Sequence, residues 1–270
     1  MNDLASKIHL ELLAAIDDDN LVLPTLPEVA LRIRQVAEQN DVTVAGLAGV
    51  IGQDAALSAR LIKVVNSPLL RARVEATNLQ TAINRLGINY SSNLAIGLVI
   101  EQIFHARAPA VADKMRDVWL TSLEVAGISS ELCSHYCTLA ADQAALAGLT
   151  HLIGVLPILS YAQERDELLS DRLSLEHVIE HIHPTVGQHI LARWEFPQAL
   201  VDVPMHCLQA GRGHGPLDYG DIVMIARLIQ RGDESALMNL QHLPALSGLH
   251  GNPSAATLVE QVSGARALFH

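Results

Sequence analysis

The sequence predicts an all-α protein. Apolar residues recur at three- and four-residue steps through most of the chain, and no stretch alternates convincingly enough to read as a strand. Capping residues, prolines and glycines punctuate these runs where helices start and stop. Residues 1–22 read as an N-terminal helix. From Pro27, a first-turn proline, the stripe Leu26, Val29, Ala30, Ile33 and Ala37 marks the next helix, with Arg32, Arg34 and Gln35 on its polar side. Thr43 caps a short helix to Ile51. Leu57, Leu61, Val64 and Val65 line another, stopped by Asn66-Ser67-Pro68. Asn78 caps a helix to Leu86, with Gly87 as a left-handed terminator. Residues 89–105 form a longer helix whose segment 94–100 is apolar all round, which predicts a central position with a different half packed on each side.

Pro109 breaks the pattern and predicts the junction between two halves near 106–111. Beyond it, Val111, Met115, Val118, Trp119, Ser122, Val125, Ala126, Ser129, Leu132 and Tyr136 trace one long helix. Helices are expected at 141–152, 175–182, 184–194, 197–208 and 222–229, with His-Pro and Phe-Pro steps separating the middle three. Pro253 opens a last one. The expected organisation is 1–22, an N-terminal helix; 23–108, a helical half; 109–231, a second helical half; and 232–270, an extension.

Composition narrows the function classes. The 270 residues are 50% hydrophobic but only 3% aromatic, so Leu, Ala, Ile and Val fill the core. A chain of this size buries roughly three quarters of its unfolded surface without a staple. Cys133, Cys137 and Cys207 are too few, and odd in number, for a disulfide scaffold, and fit a reducing, cytoplasmic setting. A net charge of −11 argues against sequence-blind nucleic-acid binding. The apolar run 94–100 falls short of the ~20 residues of a spanning helix, and Asp3 and Glu11 sit badly in a signal peptide, so no membrane segment is expected.

Thirteen histidines direct attention to metal chemistry. His177, His181, His183 and His189 crowd one stretch, and His177 and His181 share a helix face at ligand spacing. The run HVIEHIH lacks the metalloprotease pattern, and a polar helix face explains it as well. Cys133 and Cys137 fall in an apolar stripe, where inert buried thiols are the ordinary case. The loop 211–216 reads as a surface connection rather than a phosphate cradle. No nucleophile elbow occurs.

Leu23-Pro24-Thr25-Leu26-Pro27, Ile51-Gly52-Gln53-Asp54-Ala55-Ala56-Leu57, Asn66-Ser67-Pro68 and Ala82-Ile83-Asn84-Arg85-Leu86-Gly87, taken in this order, resemble the opening half of an HDOD domain. Ala55 stands where that pattern usually has proline. The second half resembles the HD-superfamily core through Trp119-Leu120-Thr121-Ser122, Ala147-Gly148-Leu149-Thr150-His151-Leu152-Ile153-Gly154, His183-Pro184-Thr185-Val186-Gly187-Gln188, Trp194-Glu195-Phe196-Pro197 and Met205-His206. The resemblance spans about 20–230 and implies a helical half packed on a degenerate HD-like half.

Catalytic HD proteins are phosphohydrolases holding a divalent metal with a His, a His-Asp pair and a distal Asp. The resemblance places Thr121 at the first His, His151-Leu152 at the His-Asp pair and Arg227 near the distal Asp, so His151 alone survives. Leu152 cannot coordinate, and Arg227 brings fixed positive charge where a cation should bind. The implied function is a non-catalytic signalling module of bacterial type, with no cofactor, acting through a protein or small-ligand partner. A metal-dependent phosphohydrolase rebuilt from His151, His183 and His206 is the alternative. A nucleotide sensor using Arg227 or Arg212 is a third.

Overall fold

The computed structural model describes residues 25–67, 75–104, 106, 108–210, 212 and 216–266, with a few positions of the first fourteen. The expected N-terminal helix therefore lies largely outside the described residues, as do Leu23, Pro24, Pro68, His105 and most of the loop 211–216. Ile8, which is described, is buried, and Glu11 accepts a hydrogen bond from Tyr161 at 3.0 Å.

From residue 25 on, the described residues form fifteen α-helices, a 3-10 turn and no strand. The fold class is all-α. Helix α1 (Glu28–Ala37) buries Ala30 and Ile33. Helix α2 (Val44–Ile51) starts at Thr43, whose hydroxyl accepts from the Gly46 amide. Asp54 caps α3 (Ala55–Val65) by accepting from the Ala56 and Leu57 amides. After α3, the Asn66 side chain both donates to and accepts from the Ala76 backbone, pinning the returning chain. Asn78 caps α4 (Leu79–Leu86) through the Thr81 amide. Gly87 ends α4 at φ 82°, ψ 160°. It is therefore not the left-handed terminator expected, because it also starts α5 (Ile88–Ile103) and must redirect the chain.

Helix α5 is the pivot of the molecule. Residues 91–100 are buried on every face. It packs on α1, α3 and α4 on one side and on α7 (Ala141–Thr150) on the other, which is the arrangement its all-round apolar pattern predicts. Helix α6 (Pro109–Tyr136) runs closely along α7. At Gly148 a Cβ would lie 2.5 Å from Ala126 Cα, so only glycine lets these two backbones approach.

Helices α8 (Val155–Ala162), α9 (Asp166–Ser170) and α10 (Arg172–Arg193) follow. The two expected helices 175–182 and 184–194 are one helix, with Pro184 inside it. Proline there cannot donate to the Glu180 carbonyl, at a cost of ~3 kcal/mol. Full burial of Val178, Ile182, Val186 and Ile190 on either side outweighs that local penalty. The expected helix 197–208 is instead α11 (Gln198–Val201) and α12 (Val203–His206). Asp202 divides them, held by Gln188 and Gln198, and Pro204 has no amide to offer Leu200.

Helix α13 (Tyr219–Arg231) packs across α6, α7 and α12. The C-terminal extension holds more than the one expected helix: α14 (Glu234–Gln241), capped by Asp233, and a 3-10 turn precede α15 (Ala255–Arg266). By length and composition, Ala141–Ala162 is apolar enough to cross a membrane, a longer stretch than the sequence reading had picked out. In the fold it is two helices, and 83% of its most apolar window is buried inside the protein.

Candidate functional site

Helices α7, α10 and α13 bring two histidines and an arginine near one another. His151 ends α7 with 0% of its surface exposed. Its Nδ1 is 2.7 Å from the Gly148 carbonyl, which can only accept, so Nδ1 carries the proton and Nε2 presents a lone pair. That Nε2 has no hydrogen-bond partner, and neither has the buried Nδ1 of His183 on α10. Burial, then the Arg227 charge, holds His151 well below the usual imidazole range. The same two causes bring His183 down to about 4. Arg227, on α13, donates to the Cys207 carbonyl at 3.2 Å. The group thus consists of two neutral imidazoles facing one guanidinium.

A close backbone contact brings His151 and His183 together. A Cβ on Gly154 would sit 2.0 Å from the His183 carbonyl oxygen and 2.6 Å from the Gly187 nitrogen. Glycine at 154 therefore seats the α7–α8 turn directly on α10.

His206 is engaged elsewhere. Its Nδ1 lies 3.0 Å from Asp218 Oδ2, in a cluster the sequence reading missed. Asp218 and Asp221 form a reciprocal capping box at the start of α13. Arg212 bridges both carboxylates, at 2.6 and 2.8 Å to Asp218 and 2.6 Å to Asp221. Burial alone would push Asp218 up, but Arg212, the Asp221 amide and His206 together hold it at about 2. The Asp-x-x-Asp spacing was the available signal. Arg212, one of two arginines considered for phosphate contact, is occupied by this cluster.

The remaining candidates spread out. Thr121 is partly buried on α6, beside the buried Ser122. Leu152 lines a cavity of about 290 Å³ of mixed polarity, with Ile100, Met115, Trp119 and Ser122 beside the charged Glu101 and Arg116. His177 and His181 stack at 4.0 Å between ring centres, and His181 is exposed with its Nδ1 at the His177 carbonyl. Among the described residues, no three His, Cys, Asp or Glu side chains converge as a cation site. An HD-type divalent metal does not fit the central group. Its free imidazole nitrogens suit a cation, but no carboxylate joins them and Arg227 opposes one.

An all-helical core of this kind, built around α6, α7, α10 and α13, defines an HD-like helical domain. The chain belongs to the HDOD domain family, which matches residues 23–207. Over the full length of both chains it is similar, at 28% identity and a TM-score of 0.83, to the crystal structure of a candidate metal-dependent phosphohydrolase from Shewanella amazonensis SB2B. An HDOD domain protein of unknown function from Geobacter sulfurreducens shares the fold at 19% identity and a TM-score of 0.70, covering 97% of this chain and 96% of its own. A curated uncharacterized protein from Treponema pallidum (strain Nichols) is 24% identical over 211 residues, 73% of this chain. The match spans 39% of that relative's length.

Proposed function

We propose that this chain is a non-catalytic HDOD regulatory module that transmits a signal by binding a protein or small-molecule partner. One observation carries the reading: the Arg227 guanidinium stands against His151 and His183, where a metal-dependent site would need carboxylates. In this reading His151 is the retained member of the HD set. Thr121, Leu152 and Arg227 take the other three places. Leu152 lines the neighbouring cavity with a side chain that has no donor atom for a metal.

The second reading is a metal-dependent phosphohydrolase rebuilt from His151, His183 and His206. The full-length likeness to the Shewanella protein favours it, as does the His151 tautomer, since metal-bound imidazoles commonly donate their other N–H to a carbonyl. Against it, His206 is committed to Asp218. Elemental analysis and phosphodiesterase and nucleotidase assays with added manganese, iron or magnesium separate the two. We expect neither stoichiometric metal nor turnover. Bound metal with turnover abolished by His151→Ala would establish the phosphohydrolase instead.

A further inference from the structure

We propose that Cys133 and Cys137 form a reversible dithiol site, oxidised to an intrachain disulfide by a hydroperoxide or a small disulfide. Their sulfurs are 3.3 Å apart across the last turn of α6, with the Cys137 thiol donating to the Cys133 sulfur. Four-residue spacing in a helix brings Cβ atoms to about 5–6 Å, and a disulfide needs about 3.5–4.5 Å. Cys137 supplies the freedom to close that gap. It is the C-cap, with an extended backbone at φ −149° and ψ 175°, so it is released from the helical geometry that holds Cys133.

The two thiols differ in a way that sets their order of reaction. Cys133 is 2% exposed, and burial followed by its bond to Cys137 pushes it well above the usual thiol range. Cys137 is partly exposed and meets the oxidant first. With hydrogen peroxide, the Cys137 thiolate attacks one peroxide oxygen, gives a sulfenic acid and expels hydroxide. The Cys133 sulfur then displaces the sulfenic hydroxyl, which leaves with the Cys133 proton as water. Two thiols are oxidised by two electrons and the peroxide is reduced to two waters. The third thiol, Cys207, is buried, with its sulfur directed to the Pro204 carbonyl and accepting from Arg227.

The site lies at a junction of elements. Tyr219, the first residue of α13, lies close to both cysteines and bonds to the Ala140 backbone in the α6–α7 connection. The His250 amide donates to the Tyr136 carbonyl one residue from Cys137. Oxidation there acts on the helix that carries Thr121 and on the start of the helix that carries Arg227.

The test exposes the folded, fully reduced chain to stoichiometric hydrogen peroxide or glutathione disulfide, then alkylates and weighs it. The expected product has lost two hydrogen atoms and two alkylatable thiols, both within the peptide bearing Cys133 and Cys137, and recovers them with dithiothreitol. Cys133→Ser should stop at a glutathione adduct on Cys137, and Cys137→Ser should resist oxidation of Cys133. Phenylarsine oxide, which needs two thiols in reach, should bind the reduced wild-type chain and neither variant. A wild-type product that is a stable glutathione adduct, or that keeps all three thiols under conditions that oxidise a free dithiol, would overturn the proposal whether or not the variants fold.

Discussion

His183 and His151 make the core sensitive to acid. An imidazole held near 4 in the folded chain and near 6.5 when unfolded takes up its proton first in the unfolded state. Stability contributed this way is complete above about pH 6.5, falls as pH drops, and is exhausted for His183 by about pH 4. The shift corresponds to roughly 3 kcal/mol for a group this deeply buried. His151, held down by the same burial and the same Arg227 charge, adds to the loss of stability in acid. Thermal melting followed from pH 8 to pH 4 should show a steep fall that His183→Gln makes shallower. An unchanged slope would mean that His183 is not neutral in the folded core. Local chemistry in the sequence marked these histidines as candidates. It did not reveal their charge state, which burial in the packed core sets first and the distant Arg227 charge reinforces.

At the scale of elements, the turn between α7 and α8 rests on α10 with no room for a side chain. Gly154→Ala would drive a methyl group into the His183 carbonyl, and backbone atoms on both sides leave little scope to yield. The expected loss exceeds about 3 kcal/mol, at the upper end for overpacking, measurable by denaturant titration with a parallel loss of the native His151 environment in NMR. Gly148 lies under the same constraint against Ala126. Most helices were legible: α2, α4, α5, α6 and α13 follow from their caps and apolar stripes. Helix α10 was not, since Pro184 reads locally as a break and only the burial of Ile182 and Val186 carries the helix through it. Helix 197–208 failed in the opposite sense, because its apolar pattern continues across a backbone that Asp202 and Pro204 divide.

Across the whole molecule, Arg34 joins the N-terminal helices to the end of α10. Its guanidinium donates to the Trp194 carbonyl at 3.1 Å and the Glu195 carbonyl at 3.4 Å, and lies 5.7 Å from the Phe196 ring centre. Glu195 sits at φ 56°, a backbone conformation that costs a non-glycine residue energy and that this contact helps to hold. Arg34→Ala should destabilise the chain by roughly 1–2 kcal/mol, and Arg34→Lys should recover little, because lysine cannot present the planar fork. Denaturant midpoints of the three proteins check this directly. The sequence reading had Arg34 as a polar residue on an outer helix face, a correct periodicity without the partner that gives the residue its role.

The sequence by itself determined the helical class, most helix starts and the central place of α5, because each rests on spacing or capping within a few turns, and its ordered motifs carried the HDOD resemblance. Tertiary structure alone decided which polar groups face one another. His151, His183 and Arg227 come from three helices, and Arg212 is drawn onto Asp218 and Asp221 rather than left for a ligand. Cys133 and Cys137 read as an inert apolar stripe until the end of α6 set their sulfurs side by side. Short-range periodicity says which face of a helix is buried. Which charge, lone pair or thiol waits on the opposite surface depends on how distant helices pack, and on glycines such as Gly154 that allow them to touch.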